Sequence, residues 1–173
     1  PLMILYILIF LAVLYLYNTA KTPKQQQTYF KYMMIFLALF VGLSDMLGGY
    51  DRYIYGELFD DLAETRISGG HITDLTIYAL YKSEWFYIVL NYLISFITAN
   101  RYIFIFIVTC VIYACLYKSL KEYTSNPLFA LILFLGLWYF FTFTYLRQVL
   151  AAVIGWLSIK YVLERKPWHF AAI

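Results

Sequence analysis

Charge is scarce in this chain. Of its 173 residues only 13% are Asp, Glu, Lys or Arg, while 64% are hydrophobic; soluble domains carry about 25% charged residues. Disorder, which needs low hydrophobicity and high net charge, is excluded. A water-soluble core is excluded too, because a domain of roughly 150 residues leaves about a third of its unfolded surface exposed. Here that surface would be largely apolar, and a mean hydropathy of +0.71 asks for a lipid solvent. Cysteine is nearly absent. Cys110 and Cys115 lie five apart in one apolar run, on different faces of a helix, and read as small packing residues rather than a disulfide scaffold. The two histidines, His71 and His169, have no partner cysteines and make no recognisable metal site. There is neither a phosphate loop nor a serine-nucleophile motif. The net charge of +3 comes without a basic run interleaved with aromatics, so no nucleic-acid face is expected.

Aromatics and long apolar runs are what the chain has. Nineteen Tyr and four Trp suit the two interfaces of a bilayer. A spanning helix needs about 20 apolar residues to cross roughly 30 Å of hydrocarbon. Five segments meet this: Leu2–Tyr17; Tyr29–Leu47, with Lys31 snorkelling at its edge; Tyr102–Tyr117; Pro127–Leu146; and Gln148–Leu163, where Lys160 reaches the interface. A sixth, Trp85–Asn100, is uncharged but only sixteen residues long and carries Asn91, Ser95, Thr98 and Asn100; it either spans or dips in and returns. Leu2–Ala20 lacks the basic start and small-residue end of a cleaved signal and reads as a retained first helix. The chain opens without an initiator methionine and closes on the apolar Phe170-Ala171-Ala172-Ile173, so it is expected to be part of a longer protein. The expected fold is an all-α, polytopic transmembrane bundle, one membrane domain, with a long extracytoplasmic loop over 45–84 that contains short amphipathic helices.

Eight of the ten acids fall between Asp45 and Glu84, against three basic residues, for a local charge of −5; the rest of the chain carries +8. Two topologies divide the basic residues eight to five in agreement with the positive-inside rule. One spans six times and places the acidic loop in the cytoplasm. In the other, Trp85–Asn100 re-enters, leaving Lys21, Lys24, Lys31, Lys118, Lys121, Lys160, Arg165 and Lys166 inside, with Arg52, Arg66, Lys82, Arg101 and Arg147 outside. The second is preferred on chemistry, because its outer set is mostly arginine, whose planar fork of donors suits phosphate.

Candidate residues cluster in and beside the loop. Gly48-Gly49-Tyr50-Asp51-Arg52-Tyr53 follows a helix end, where two glycines let the chain turn. From Tyr53 a short helix is expected along the interface, with Tyr53, Ile54, Leu58, Leu62 and Phe59 on one face and Glu57, Asp60, Asp61 and Glu64 opposite. Asp51 at its start is either a reactive carboxylate or a complement to the helix dipole. Asp60-Asp61 reads as a solvated face, and Gly69-Gly70-His71 as a flexible joint. Arg147 stands between two apolar flanks at or below the interface, where charge is costly and marks either a substrate path or a snorkelling arginine that fixes the helical hairpin; Gln148, Thr142, Thr144 and Tyr145 add polar groups around it and favour the first. Arg101 reads as an anchor at a helix start.

Three places resemble the EpsG family of bacterial exopolysaccharide polymerases, relatives in role of the Wzy O-antigen polymerases. They are Gly48-Gly49-Tyr50-Asp51-Arg52-Tyr53-Ile54-Tyr55 after the second helix; Glu84 before an aromatic helix; and Leu146-Arg147-Gln148-Val149-Leu150-Ala151, followed by Lys160-Tyr161-Val162-Leu163-Glu164-Arg165-Lys166. The chain departs from the family's pattern at Ser44, where an arginine is common, and at Trp85-Phe86, where a glycine follows the acid. The resemblance implies a multi-pass protein of the bacterial cytoplasmic membrane that moves a growing glycan from undecaprenyl pyrophosphate onto a hydroxyl of the next lipid-linked repeat unit. Its partners would be that lipid-linked oligosaccharide, the bilayer and other polysaccharide export proteins, without nucleic acid. Arg147 and then Arg52 are implied for the diphosphate, and Asp51 with Glu84 behind it for the acceptor proton. Arg101, Gln148, Tyr50, Tyr53 and Tyr55 are implied for binding substrate. No metal or nucleotide cofactor is implied, since the donor is already activated. A transporter or flippase of lipid-linked glycans is the alternative, and a non-catalytic scaffold a third reading.

Overall fold

The computed structural model describes residues 2–44, 49–71, 73, 85–166 and 168, and among these every regular element is an α-helix or a short helical turn. The helices are α1 (Leu2–Thr19), α2 (Pro23–Leu43), α3 (Gly49–Ser68), α4 (Trp85–Ser95), α5 (Arg101–Tyr123), α6 (Pro127–Leu137), α7 (Phe141–Thr144) and α8 (Leu146–Leu163). Glu84, Lys82, Asp74, Asp45, Gly48 and His169 lie outside the described residues.

The boundaries follow local chemistry. α2 starts six residues before the expected Tyr29. Thr22 caps it in a box with Gln25, and Pro23 takes the first turn, where a missing N–H costs nothing. Asn100 and Asn126 cap α5 and α6 by accepting from Tyr102 N at 2.8 Å and Phe129 N at 3.1 Å. α3 ends at Gly69, whose φ of +76° lets Gly70 N donate back to Thr65 O at 2.9 Å. The expected joint before His71 is therefore a glycine helix cap.

α2 and α5 form the central pair. Phe30 stacks on Tyr117 at one end, with centroids 5.1 Å apart, and at the other a Cβ on Gly42 would stand 2.8 Å from the Phe106 ring, so the two run antiparallel. α8 runs parallel to α5, since Tyr123 donates to Leu157 O at 3.3 Å and accepts from Lys160 N at 3.0 Å. The buried seam holds Leu37, Val41, Phe104, Val108, Ile112, Leu116, Val149 and Val153. These directions sort the charges. The described Lys24, Lys31, Lys118, Lys121 and Lys160 gather at one end of the bundle, and Arg52 and Arg101 at the other.

α3 is the largest departure from the expected loop. It is a 20-residue helix that starts at Gly49, and its buried face is Arg52, Tyr55, Gly56, Leu58, Phe59, Leu62 and Ala63. Apolar periodicity starting at Tyr53 gave a shorter helix with Leu58, Phe59 and Leu62 on its inner face, and did not extend it to Gly49 because that face also includes an arginine and a glycine. Instead of lying free along an interface it docks on α5, where Phe59 stacks on Phe104 at 4.2 Å, and on α4, where Tyr55 meets Tyr87 edge-on at 6.0 Å. At its far end Arg66 Nη2 donates to Ser95 O at 2.7 Å and the guanidinium lies over Phe96. Both ends of the described α4 are thus tied to α3.

The expected single helix over Pro127–Leu146 is broken. Tyr139 N donates to Phe134 O at 3.1 Å, passing over the Leu135 carbonyl, which instead accepts from Tyr6 Oη at 2.8 Å. A side chain inserted into the ladder is an established cause of a kink. Beyond the break, buried Thr142 donates to Tyr139 O at 2.6 Å and lies 3.1 Å from Tyr113 Oη. Among the described residues two helices, α5 and α8, are long and apolar enough to cross a membrane; Met3–Thr19, Trp85–Ser95 and Pro127–Leu137 are apolar and shorter.

Thr142→Val keeps the shape and removes both side-chain hydrogen bonds at the break, leaving the Tyr113 hydroxyl short of a partner and the Tyr139 carbonyl with the backbone N–H of residue 142 alone. A loss of about 1–3 kcal/mol is expected, read as a lowered midpoint of thermal unfolding in detergent.

Candidate functional site

The first turn of α3 delivers Arg52 to the end of α2. Its side chain is 4% exposed, and Nη2 donates to Val41 O at 2.8 Å and more weakly to Gly42 O at 3.4 Å. Those carbonyls belong to the last turn of α2, where the helix dipole favours a cation. Arg52 therefore closes a helix and at the same time lines a cavity of about 270 Å³ with Gly42, Ser44, Tyr53, Arg101 and Tyr102.

Arg101 enters that cavity from the first turn of α5. Its Nε donates to Asp60 Oδ2 at 2.5 Å, and its guanidinium lies 5.5 Å from the centre of the Tyr53 ring. Gly56 makes room for it, because a Cβ there would stand 3.1 Å from Arg101 Cδ. The Asp60 carboxylate takes the Nε edge of the guanidinium, and the pair of terminal nitrogens forms the edge that can meet an anion. The nearby Glu57 carboxylate holds the Tyr53 phenol above its ordinary value, although Arg101 pulls the other way. Tyr53 is therefore neutral near pH 7.

A second cleft, of about 250 Å³, lies between α4 and α8 and is lined by Trp85, Phe86, Tyr87, Arg147, Leu150 and Ala151. Arg147 is half-buried in the first turn of α8, where the positive pole of the helix adds to its own charge. Tyr87 belongs to this cleft and also meets Tyr55 of α3, which is 6% exposed.

The residues singled out from the sequence therefore separate. Arg52, Tyr53 and Arg101 share the first cavity, and Arg147 lines the second with α4. Asp51 is half-buried in the first turn of α3, next to Arg52. Tyr50 and Gln148 are exposed, while Tyr55 sits in the packed core against Tyr87 and presents no open ring face. Glu84 lies outside the described residues, one position before Trp85. Asp60 and Gly56 were not among the candidates. They stand 41 and 45 positions before Arg101, and no local pattern in the sequence links them. Among the described residues no group of His, Cys, Asp and Glu could hold a metal ion.

The Asp60–Arg101 side chains are 35% and 28% exposed, so solvent screens the pair. A double-mutant cycle of Asp60→Asn and Arg101→Gln, read from unfolding midpoints, is expected to give a coupling below about 1 kcal/mol. A coupling of several kcal/mol would mean that the pair is sealed from solvent.

Neither the curated proteins nor the solved structures contain a match to this chain. The profile of the EpsG family does match, over residues 28–173, from the second turn of α2 through both arginine-lined clefts to the end. That span includes every candidate residue discussed above, and on it the chain belongs to the EpsG family.

Proposed function

We propose that this chain contributes to polymerising lipid-linked oligosaccharide repeat units, by glycosyl transfer from an undecaprenyl pyrophosphate-linked donor at the arginine-bearing end of the bundle. Membership of the EpsG family carries a Wzy-like polysaccharide polymerase role in general and a membrane setting. The observation that carries the finer reading is Arg147, half-buried at the head of an apolar helix in an aromatic cleft. Charge at such a depth is costly unless it has work there.

In the reaction, the acceptor hydroxyl oxygen bonds to the donor's anomeric carbon, the bond from that carbon to the diphosphate oxygen breaks, and the hydroxyl proton passes to a base. The diphosphate leaves as an anion. A guanidinium fixed where that charge develops lowers the barrier more than it tightens substrate binding, and its fork matches two phosphoryl oxygens at once. Arg147 takes this role first and Arg52 second. Asp51 is the base, with Glu84 as the carboxylate behind it. Tyr50 and Tyr53 offer ring faces to sugars, and Arg101 and Gln148 offer polar contacts. No metal or nucleotide enters, because the departing diphosphate has already activated the donor.

The proposed topology puts the arginine end outside the cytoplasm. The described α4 is 11 residues long, about 16 Å at 1.5 Å per residue, roughly half the hydrocarbon thickness. It is tied to α3 at both ends and leads straight to Arg101, which supports re-entry rather than crossing. The lysine end then faces the cytoplasm, as the positive-inside rule requires.

Three measurements test this reading. In full-length protein supplied with lipid-linked repeat units in detergent, Arg147→Ala and Arg147→Lys should both abolish the polymer ladder; normal chain length from Arg147→Lys would refute the two-pronged phosphate role. Asp51→Asn should lower kcat by about 100-fold or more with KM retained, whereas a larger loss from Glu84→Gln would move the base to Glu84. An impermeant thiol reagent applied from outside should label Asp61→Cys and spare Lys121→Cys, and the opposite pattern would invert the topology.

A further inference from the structure

Trp138 N and Tyr139 N both donate to Phe134 O, at 2.8 and 3.1 Å, so one carbonyl serves two donors at the end of α6. The next carbonyl, Leu135 O, is left to Tyr6 Oη of α1. In an uninterrupted helix Tyr139 N would bond Leu135 O. Two arrangements therefore compete for one N–H, and the hydroxyl from α1 weights the wider turn. A wide turn of this kind rotates everything beyond it relative to the helix before it, and such turns recur at functional sites. The Tyr6 ring fixes the contact from the side, with its centroid 4.6 Å from Phe140 and 6.0 Å from Tyr139.

The chain beyond the break is continuous. Phe141 N bonds Trp138 O at 3.0 Å, Thr142 N bonds Tyr139 O and Phe143 N bonds Phe140 O at 3.1 Å, and Tyr145 N bonds Phe141 O at 2.9 Å. Val149 N then bonds Tyr145 O at 2.9 Å, within α8. Residues 138–149 thus form one hydrogen-bonded arm, pinned to α5 where Thr142 meets Tyr113. Arg147 rides on this arm. The far end of α8 is fastened separately, by Tyr123 and by the Lys160–Glu122 pair at 3.5 Å. Where Arg147 stands in the α4–α8 cleft therefore depends on how the arm enters.

We infer that Tyr6 is a positioning residue for Arg147. By occupying Leu135 O it keeps Tyr139 N on Phe134 O and holds the turn after α6 in its wide form. That turn aims the arm, and with it the guanidinium, into the cleft lined by Trp85, Phe86 and Tyr87. Leu135 is fully buried, so without the hydroxyl its carbonyl would lie unpaired in an apolar medium, where only an internal donor can recover it. Tyr139 N is that donor. Taking it back closes the turn to the ordinary helical register and rotates the arm about its Thr142 pin. Tyr6 stands in α1, ahead of the span 28–173 that the family profile matches, so no property carried over from the family assigns it this role. Its consequence for turnover rests on the reading of Arg147 given above, whereas its effect on the arm does not.

The test uses the full-length protein and Tyr6→Phe, which keeps the ring and its stacking on Phe140 and removes one oxygen. Spin labels at Leu133→Cys on α6 and Tyr145→Cys on the arm, both exposed positions, read the bend across the break in a Cys110→Ser, Cys115→Ser background. Loss of the hydroxyl should move their separation by at least about 2 Å, as one residue's rise and rotation return to α6. In unlabelled protein supplied with lipid-linked repeat units it should lower kcat, per folded molecule, by about tenfold or more with KM retained. Tyr17→Phe is the control, because Tyr17 packs its ring on Phe129 from the same α1, 5.8 Å between centroids; it should change neither readout. An unchanged separation in Tyr6→Phe, a shifted separation with full kcat, or an equal loss from Tyr17→Phe would each overturn the assignment. A lowered unfolding midpoint with kcat and separation intact would overturn it too, since that is the mark of a merely structural contact. If the separation shifts as expected while the wild type makes no polymer ladder, the polymerase reading fails and the control of the arm by Tyr6 stands.

Discussion

A helix that ends or breaks in an apolar medium must find donors for the carbonyls it frees, and in this chain side chains provide them. Arg52 closes α2 through Val41 and Gly42, Arg66 holds Ser95 O at the end of α4, and Tyr6 takes Leu135 O where α6 breaks. An unpaired buried carbonyl costs about 1–3 kcal/mol, and a hydrogen bond from a charged donor recovers a comparable amount. In water such ends would be satisfied by solvent. In lipid they are satisfied internally or not at all, so donors become fixed parts of the scaffold.

That constraint bears on which arginine is available to a ligand. Arg52 is committed to two backbone carbonyls and is almost fully covered, so moving it would unfasten the α2–α3 junction. Arg101 is held by one carboxylate at a single edge, stays partly exposed, and has a glycine beside it that leaves its side chain space to approach. The two differ as a brace and a hand differ. Arg147 is more like Arg101, being half-buried at a helix start and bordered by aromatic rings. Truncating Arg52 would therefore mix a loss of binding with a loss of fold, and substitutions at Arg101 and Arg147 report more directly on ligand.

Much of the helical framework was legible in the sequence, because apolar runs and caps are local signals. α5 and α8 stand close to where hydropathy put them, and Asn100 and Asn126 mark two helix starts. Thr22-Pro23 with Gln25 signals the true start of α2, but a polar first turn hid it from apolar counting. Tertiary effects hid the rest. No pattern near Pro127 foretells that Tyr6, over a hundred residues earlier, will bond Leu135 O and interrupt the helix. The inner face of α3 carries Arg52 and Gly56, each of which looks like a break in periodicity until Val41 O and Arg101 are in place around them. The candidate site shows the same division. Arg147 was visible as a charge out of place between apolar flanks, whereas Asp60, read as a solvated acid, acquires its partner only when α3 docks on α5.

The distribution of charge along the bundle bears on the kind of chemistry the chain supports. The contact of Tyr55 with Tyr87 joins the helices that wall the two arginine-lined clefts. A transport site is expected near the middle of the membrane, at broken helices related by an internal repeat, so that it can be reached from either side in turn. Among the described residues the break lies at Trp138–Phe140, where Tyr6, Tyr113 and Thr142 satisfy the freed groups, and no cation is bonded there. The cations that could meet a phosphate stand instead where helices α5 and α8 begin and α2 ends.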